Sequence, residues 1–277
     1  MLSENYSVGN VRSTKVAYAV VDNLRIRYRD NALATAEKTL VFLHGLGGSI
    51  ESWDNNMGHL SKKYRAVSFD LPGFGLSDKP HRKYTIGFFS SFVLRAVREL
   101  KVGLPINIIG SSLGGQIAAK IAVTNPSEVC KLILISPAGF TPKSFSSSAG
   151  LQKYLRIIDA HSRTEIKKAL SETSNAQVRG NHVDMVYERI SMPGAKNAFV
   201  TALKYSTAAR RININKIKSP TLVIWGKEDR VIPVRFALPF MAMKNCQLRL
   251  LKDCGHRPHA EKPKLINEII KRFIEGN

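Results

Sequence analysis

Ser112 stands between two glycines, each two residues away, in Gly110-Ser111-Ser112-Leu113-Gly114. A serine hydroxyl becomes a useful nucleophile when it is lifted clear of its neighbours and faces a base, and a sharp turn between strand and helix does this. The apolar run Ile106-Asn107-Ile108-Ile109 precedes the pentapeptide, and the helix-like stretch Leu113 to Thr124 follows it. The glycines then let strand and helix approach without a Cβ between them. A carbonyl under attack develops charge on its oxygen, so the same chemistry requires two N–H donors aimed at that oxygen. Leu113, directly after the serine, offers one. The second is expected at Leu46, in His44-Gly45-Leu46-Gly47-Gly48, which ends the buried-strand pattern Leu40-Val41-Phe42-Leu43. That glycine cluster also admits an ordinary turn. A phosphate cradle is disfavoured, because no Lys-Ser/Thr follows and the G-x-G-x-x-G spacing is absent.

The base must be a histidine in reach of Ser112 and poised near neutral pH. The chain has seven: His44, His59, His81, His161, His182, His256 and His259. If the turn is a strand-to-helix elbow of the kind that tops an α/β sheet, the chain order of that fold, serine, then acid, then histidine, leaves His256 and His259 as the strong candidates. His256 comes after the strand-like Gln247-Leu248-Arg249-Leu250-Leu251 and the turn residues Asp253 and Gly255, so it falls at the C-terminal edge of a strand. His259 falls at the start of the last helix and reads as a helix-start or pocket-rim residue. The orienting carboxylate is expected after the buried run Thr221-Leu222-Val223-Ile224-Trp225, in Gly226-Lys227-Glu228-Asp229. Asp229 is preferred to Glu228, since adjacent residues point apart and the shorter side chain suits a tight turn. The strand before it, Lys131 to Ile135, runs into Ser136-Pro137-Ala138-Gly139 with no carboxylate.

Five ordered motifs now stand together: His44-Gly45-Leu46-Gly47-Gly48, Asp70-Leu71-Pro72-Gly73-Phe74-Gly75-Leu76-Ser77-Asp78, Gly110-Ser111-Ser112-Leu113-Gly114-Gly115, Trp225-Gly226-Lys227-Glu228-Asp229, and Gly255-His256 with Glu261-Lys262-Pro263. With these the chain resembles the α/β-hydrolase superfamily nearly end to end. Ser112 separates it from haloalkane dehalogenases and soluble epoxide hydrolases, which carry aspartate at the turn. Ser136-Pro137-Ala138-Gly139-Phe140 is most similar to monoacylglycerol-lipase-type esterases. Hydrolases of meta-cleavage products share the triad but usually have asparagine where Ser111 stands. The resemblance implies a serine esterase with triad Ser112, Asp229 and His256, an oxyanion hole at Leu46 and Leu113, a small apolar ester as substrate, and neither cofactor nor metal. Carbon–carbon or lactone hydrolysis with the same triad is the alternative, and a non-catalytic ligand-binding protein is a second. Trp53, Phe140 and Ser111 are candidates for the substrate pocket, and Asp70 is assigned to structure.

The elements that must position these residues follow from periodicity. Val16 to Val21 and Leu24 to Tyr28 read as a hairpin around Asp22-Asn23. Strands ending at His44, Asp70, Gly110 and Ser136 then alternate with helical stretches, Trp53 to Lys62 and Ser90 to Lys101, which predicts a mostly parallel α/β sheet flanked by helices. From 141 to 211 the rhythm breaks into helix-like segments, Leu151 to Ala160, Thr164 to Thr173 and Lys196 to Ala209, with Met185, Met192 and Phe199 left without a role. This stretch reads as a helical cap inserted into a hydrolase core made of residues 1–140 and 212–277. A helix over Ala260 to Ile274 closes the fold.

With 277 residues and 44% hydrophobic content the chain can bury one large core plus an insertion. No apolar run approaches the ~20 residues of a membrane span, and Glu4, Asn5 and Ser7 interrupt any signal-peptide pattern. Three cysteines, Cys130, Cys246 and Cys254, show no metal-ligand spacing and fit a reducing, cytoplasmic setting. The 42 Lys+Arg against 21 Asp+Glu give a net charge of +21. These cations are scattered singly, without a nucleic-acid-binding motif, so no nucleic acid partner is expected. They read as a solvated basic surface with a weak peripheral pull toward anionic membrane. The motifs set no oligomeric state.

Overall fold

Where the sequence is apolar without interruption, the chain forms strands buried on both faces. A computed structural model describes residues 15–141, 149–173, 178, 180–209 and 211–276. Its strands are β1 (Lys15–Val21), β2 (Leu24–Asp30), β3 (Thr39–Leu43), β4 (Arg65–Phe69), β5 (Ile106–Ser111), β6 (Val129–Ile135), β7 (Thr221–Gly226) and β8 (Cys246–Leu251). They make one eight-stranded sheet in the order β1-β2-β4-β3-β5-β6-β7-β8. Only β2 runs against the others, pairing antiparallel with β1 and β4. The sheet is thus the mostly parallel one expected. All six residues of β5 and of β7 are buried, whereas the edge strands β1 and β8 alternate with solvent.

The period of two sends neighbouring side chains to opposite faces. Val41, Ile108, Leu132 and Val223 meet Phe89, Phe92 and Val93 of α2 (Ile86–Glu99) and Ile117 and Ile121 of α3 (Leu113–Thr124). Phe42, Ile109, Ile133 and Ile224 meet Met57 and Leu60 of α1 (Asp54–Leu60) on the other side. Helix α2 begins a turn earlier than the sequence reading, because Thr85 caps it: its hydroxyl accepts from Phe88 N–H at 3.1 Å. The closing helix is also not continuous. A short α8 (Pro258–Glu261) stops, and α9 (Pro263–Glu275) starts afresh at a proline that cannot donate to a preceding turn.

Between β6 and β7 lie α4 (Ala149–Ile158), α5 (Arg163–Thr173), α6 (Gly180–Ile190) and α7 (Ala195–Ala208). Residues 142–148 and 174–177 of the stretch read as a cap lie outside the described residues. Helices α4 to α6 share a small core of Ile157, Ile166, Ala169, Leu170 and Val183. Helix α6 has no counterpart among the segments picked from sequence, since its Gly180, Asn181, His182 and Asp184 are weak helix formers. Helix α7 joins the main core through Ala198, Phe199 and Ala202. It rests on the loops after β3 and β4: a Cβ added to Gly47 would come within 2.9 Å of the Phe199 ring, and one on Gly73 within 2.7 Å of Ala198. No described helix is long and apolar enough to cross a membrane.

Two glycines give opposite expectations for stability. A Cβ on Gly114 would lie 2.2 Å from the Leu43 carbonyl oxygen, and backbone cannot yield there. Gly114→Ala should cost about 2 kcal/mol or more in chemical denaturation. Gly87, in the first turn of α2, would meet only Thr85 Oγ1 at 3.9 Å, so Gly87→Ala should add about 0.5–1 kcal/mol.

Candidate active site

Ser112 joins β5 to α3 with φ 52° and ψ −115°, a region that non-glycine residues avoid at a cost of about 1–3 kcal/mol. Backbone bonds pin it there. Its N–H donates to the Ile135 carbonyl at 3.0 Å, and its own carbonyl accepts from Gln116 at 3.1 Å and Ala138 at 3.0 Å. The flanking glycines are required by contact, since a Cβ on Gly110 would lie 2.2 Å from the Gly114 carbonyl oxygen. Leu113 is the first residue of α3, so its N–H is one of those at a helix start with no intrahelical acceptor. The loop after β3 comes alongside, with the Cβ position of Gly45 3.2 Å from that of Ser112.

His256 and Asp229 meet from two different loops. The Nδ1 of His256 lies 2.8 Å from Asp229 Oδ2, and both side chains are buried. Asp229 Oδ1 accepts from the N–H groups of Val231 at 2.9 Å and Ile232 at 2.8 Å, so neither carboxylate oxygen is left to rotate. Glu228 points elsewhere and accepts from Cys254 N–H at 2.9 Å. Glu261 takes the N–H groups of Gly255 at 2.8 Å and Arg257 at 3.0 Å. Carboxylates therefore hold the backbone on both sides of His256, a role for Glu228 and Glu261 that sequence reading missed. His259 is buried against the Trp53 ring, 4.4 Å between centroids. Burial, helped by the charge of Arg257, pushes its pKa well below the ordinary imidazole value and keeps it neutral.

Ser112 and His256 open onto one cavity, lined also by Leu46, Leu113, Ala138, Gly139, Thr141, Leu203, Ser206, Thr207, Val231 and Ile232. Three sequence-derived pocket candidates do not line it. Trp53 is fully buried on the opposite face of the sheet, 5.2 Å from the Phe42 ring, and belongs to the core with α1. Phe140 packs on Phe240 at 4.8 Å, and Ser111, in β5, is buried beside Ile135 of β6. Leu203, Ser206 and Thr207 of α7 form the wall instead. Gln116 ties that helix down: its Nε2 donates to the Ser206 carbonyl at 3.1 Å and its Oε1 accepts from the Ser206 hydroxyl. Gln116 as the one polar residue of the stretch Leu113 to Ala119 was the available signal for it.

A family model described as the alpha/beta hydrolase fold matches residues 38–263. The chain belongs to the alpha/beta hydrolase fold family. It is 26% identical to the dihydrolipoyllysine-residue acetyltransferase component of the acetoin cleaving system of Cupriavidus necator, over 94% of this chain and 69% of that protein. It is 28% identical to a 2-hydroxy-6-oxononadienedioate/2-hydroxy-6-oxononatrienedioate hydrolase of Dechloromonas aromatica, over 91% of each. Among solved structures, a membrane phospholipase A described as a bacterial virulence factor superposes with a TM-score of 0.82 at 26% identity, over 96% of this chain and 87% of that one.

In this hydrolase the loop that carries Leu46 is fastened by buried polar groups. His44 donates from Nδ1 to the Gly45 carbonyl at 2.7 Å and accepts at Nε2 from Leu71 N–H at 3.0 Å, which fixes a neutral imidazole, and burial lowers its pKa accordingly. Asp70, fully buried, accepts from Ile50 N–H, Leu76 N–H and Arg27 Nε at 2.6–2.7 Å, consistent with the structural assignment made from sequence. Arg27 also reaches Glu51 at 2.9 Å, and Arg189, from α6, reaches the same Glu51 oxygen at 2.9 Å and the Ser49 hydroxyl. Burial alone would raise the Glu51 pKa; the guanidiniums of Arg189 and Arg27 override it and hold the carboxyl at about 2 against a usual 4.5. A depressed carboxylate stabilises the fold above its unfolded pKa and stops doing so as the pH falls through its folded one. Glu51→Gln should therefore destabilise the protein at pH 7 by up to about 3 kcal/mol. The deficit relative to wild type should shrink as the pH falls from about 5 to about 2, as measured by urea unfolding across that range.

Proposed function

We propose that the chain is a serine hydrolase that cleaves apolar carboxylic esters through an acyl-enzyme. The observation that carries this reading is the convergence on one cavity of Ser112, in its strained turn, and His256, whose Nδ1 is held at 2.8 Å by Asp229. With Nδ1–H bound to the carboxylate, the lone pair of Nε2 is the base. It takes the Ser112 proton as Oγ adds to the ester carbonyl carbon, and the N–H groups of Leu46 and Leu113 receive the developing oxyanion. His256 then gives the proton to the departing alkoxide. A water, deprotonated in turn by His256, adds to the acyl carbon and releases the acid and Ser112.

The lining favours an ester of apolar character over a diacid. The relative from Dechloromonas is named for a substrate with two carboxylates, and among the described residues no lysine or arginine lines the cavity here. The phospholipase similarity supports the ester side. Carbon–carbon or lactone hydrolysis is the second reading, favoured by the meta-cleavage-type relatives themselves. A pure binding protein would have no use for the strain stored at Ser112.

Ser112→Ala should abolish labelling by a fluorophosphonate probe and nearly all turnover of p-nitrophenyl esters, while Ser111→Ala keeps both. Asp229→Asn should lower kcat by about 10⁴ with the fold intact, because it favours the wrong imidazole tautomer. Labelling at Ser111, or full activity in Ser112→Ala, would overturn the assignment. The helical insertion acts as the cap that sets acyl length: turnover should rise with chain length and then fall. Leu203→Ala enlarges the wall and should move that optimum to longer chains, as measured by kcat/KM from acetyl to dodecanoyl esters. An unchanged optimum would remove α7 from substrate selection.

A further inference from the structure

Residues three apart in a 3₁₀ helix lie one above the other. The 3₁₀ helix Val234–Ala242 uses this register twice. Ala237 and Phe240, continued by Met243, are buried, whereas Arg235, Leu238 and Met241, continued by Lys244, are exposed. The outer stripe thus reads cation, apolar, apolar, cation. Leu238 is 53% and Met241 70% exposed, so the core gains little from either. On β8, Leu250 shares the side of Leu248, which packs against the core cluster that includes Phe240, and it is also exposed. From Arg230 to Lys252 the chain carries five cations, Arg230, Arg235, Lys244, Arg249 and Lys252, and no acidic residue. Val231 and Ile232, which line the cavity, stand in the chain just before this helix.

We propose that this stripe docks the protein on an anionic lipid surface. Exposed apolar side chains between cations match an interface in which the former enter the acyl boundary and the latter meet lipid phosphates. Three exposed apolar side chains fall short of the roughly 800 Å² that each partner buries in a stable protein complex. Nucleic acid would meet the cations but gain nothing from Leu238 and Met241. Docking here sets the Val231–Ile232 wall of the cavity next to the bilayer, so that an apolar ester can pass from lipid to Ser112; that last step rests on the ester reading, whereas the docking does not.

The test is flotation with vesicles of equal parts phosphatidylglycerol and phosphatidylcholine against vesicles of phosphatidylcholine alone. Wild type should bind the anionic vesicles about tenfold more tightly at low salt, and the excess should vanish near 1 M salt. R235E/K244E should lose about tenfold, and L238Q/M241Q several-fold, with melting temperature and turnover of a water-soluble ester unchanged. K167E/K168E, the same charge change on exposed positions of α5, should bind as wild type does. The proposal is overturned if wild type shows no lipid preference, if K167E/K168E loses as much as R235E/K244E, or if L238Q/M241Q binds undiminished. Absence of ester turnover in wild type would count against the catalytic reading alone, since vesicle binding is measured without substrate.

Discussion

Three backbone segments pass within reach of one another at Ser112, and no side chain can stand between them. The end of β5, the start of α3 and the loop after β3 close on a serine at φ 52°, with Gly110 and Gly114 facing carbonyl oxygens that a Cβ would reach at 2.2 Å. The turn alone would relax, because an unfavourable φ/ψ persists only where surroundings over-determine it. Here the surroundings are hydrogen bonds to Ile135, Gln116 and Ala138, drawn from three different elements. The same approach puts Leu46 and Leu113 on the cavity with the hydroxyl, so strain, helix start and glycine loop are one arrangement.

A second constraint acts from below the loop. Asp70, Arg27, Glu51 and Arg189 form a row of alternating charge from the buried turn after β4 to helix α6 of the insertion. Well-packed apolar residues in place of such pairs often leave a protein as stable or more so. What the row provides is direction: Asp70 binds the N–H of Ile50, Glu51 adjoins it, and Arg189 holds Ser49. Residues 49–51 are thereby fixed just beyond the glycines that present Leu46. The insertion is attached through this row at α6 and through Gln116 and Ser206 at α7, so any movement of it is transmitted to the loops on both sides of Ser112.

Much of this was legible in the sequence because it is encoded locally. The apolar runs of β3 and β7, and that of β5 broken only by Asn107 before Gly110, read as buried strands, and Gly-x-Ser-x-Gly after a strand fixes a turn whose geometry depends on five residues. The preference for Asp229 over Glu228 rested on adjacent residues pointing apart, and the structure does turn one to His256 and the other to the Cys254 N–H. What escaped is non-local. Nothing in the spelling of Arg189 places it 2.9 Å from Glu51, 138 positions away, and Trp53 is equally consistent with a pocket wall or a core. The face of the sheet to which an aromatic side chain goes depends on register, and register is settled by packing of the whole. The 3₁₀ helix Val234–Ala242 was hidden for another reason: its period of three does not generate the spacing by which amphipathic α-helices are found.

The polarity of the cavity limits what it can distinguish. Two hydroxyls of its α7 wall are already engaged by the protein: Ser206 donates to Gln116, and Thr207 donates to the Leu203 carbonyl at 2.9 Å. Among the described residues, no lysine or arginine lines the cavity. On the proposed acyl-transfer reading, a bound molecule is oriented chiefly at its reacting carbonyl, by Ser112 and the N–H groups of Leu46 and Leu113, and held elsewhere by apolar contact. Apolar contact grades substrates gently, at about 1–3 kcal/mol for a methylene that fits or fails to fit, whereas a buried hydrogen-bonding wall rejects a wrong functional group by 10⁴-fold or more. On the proposed ester reading, a site built this way would accept a family of esters ranked by size and shape, and the sharp requirement would fall on the one group it polarises.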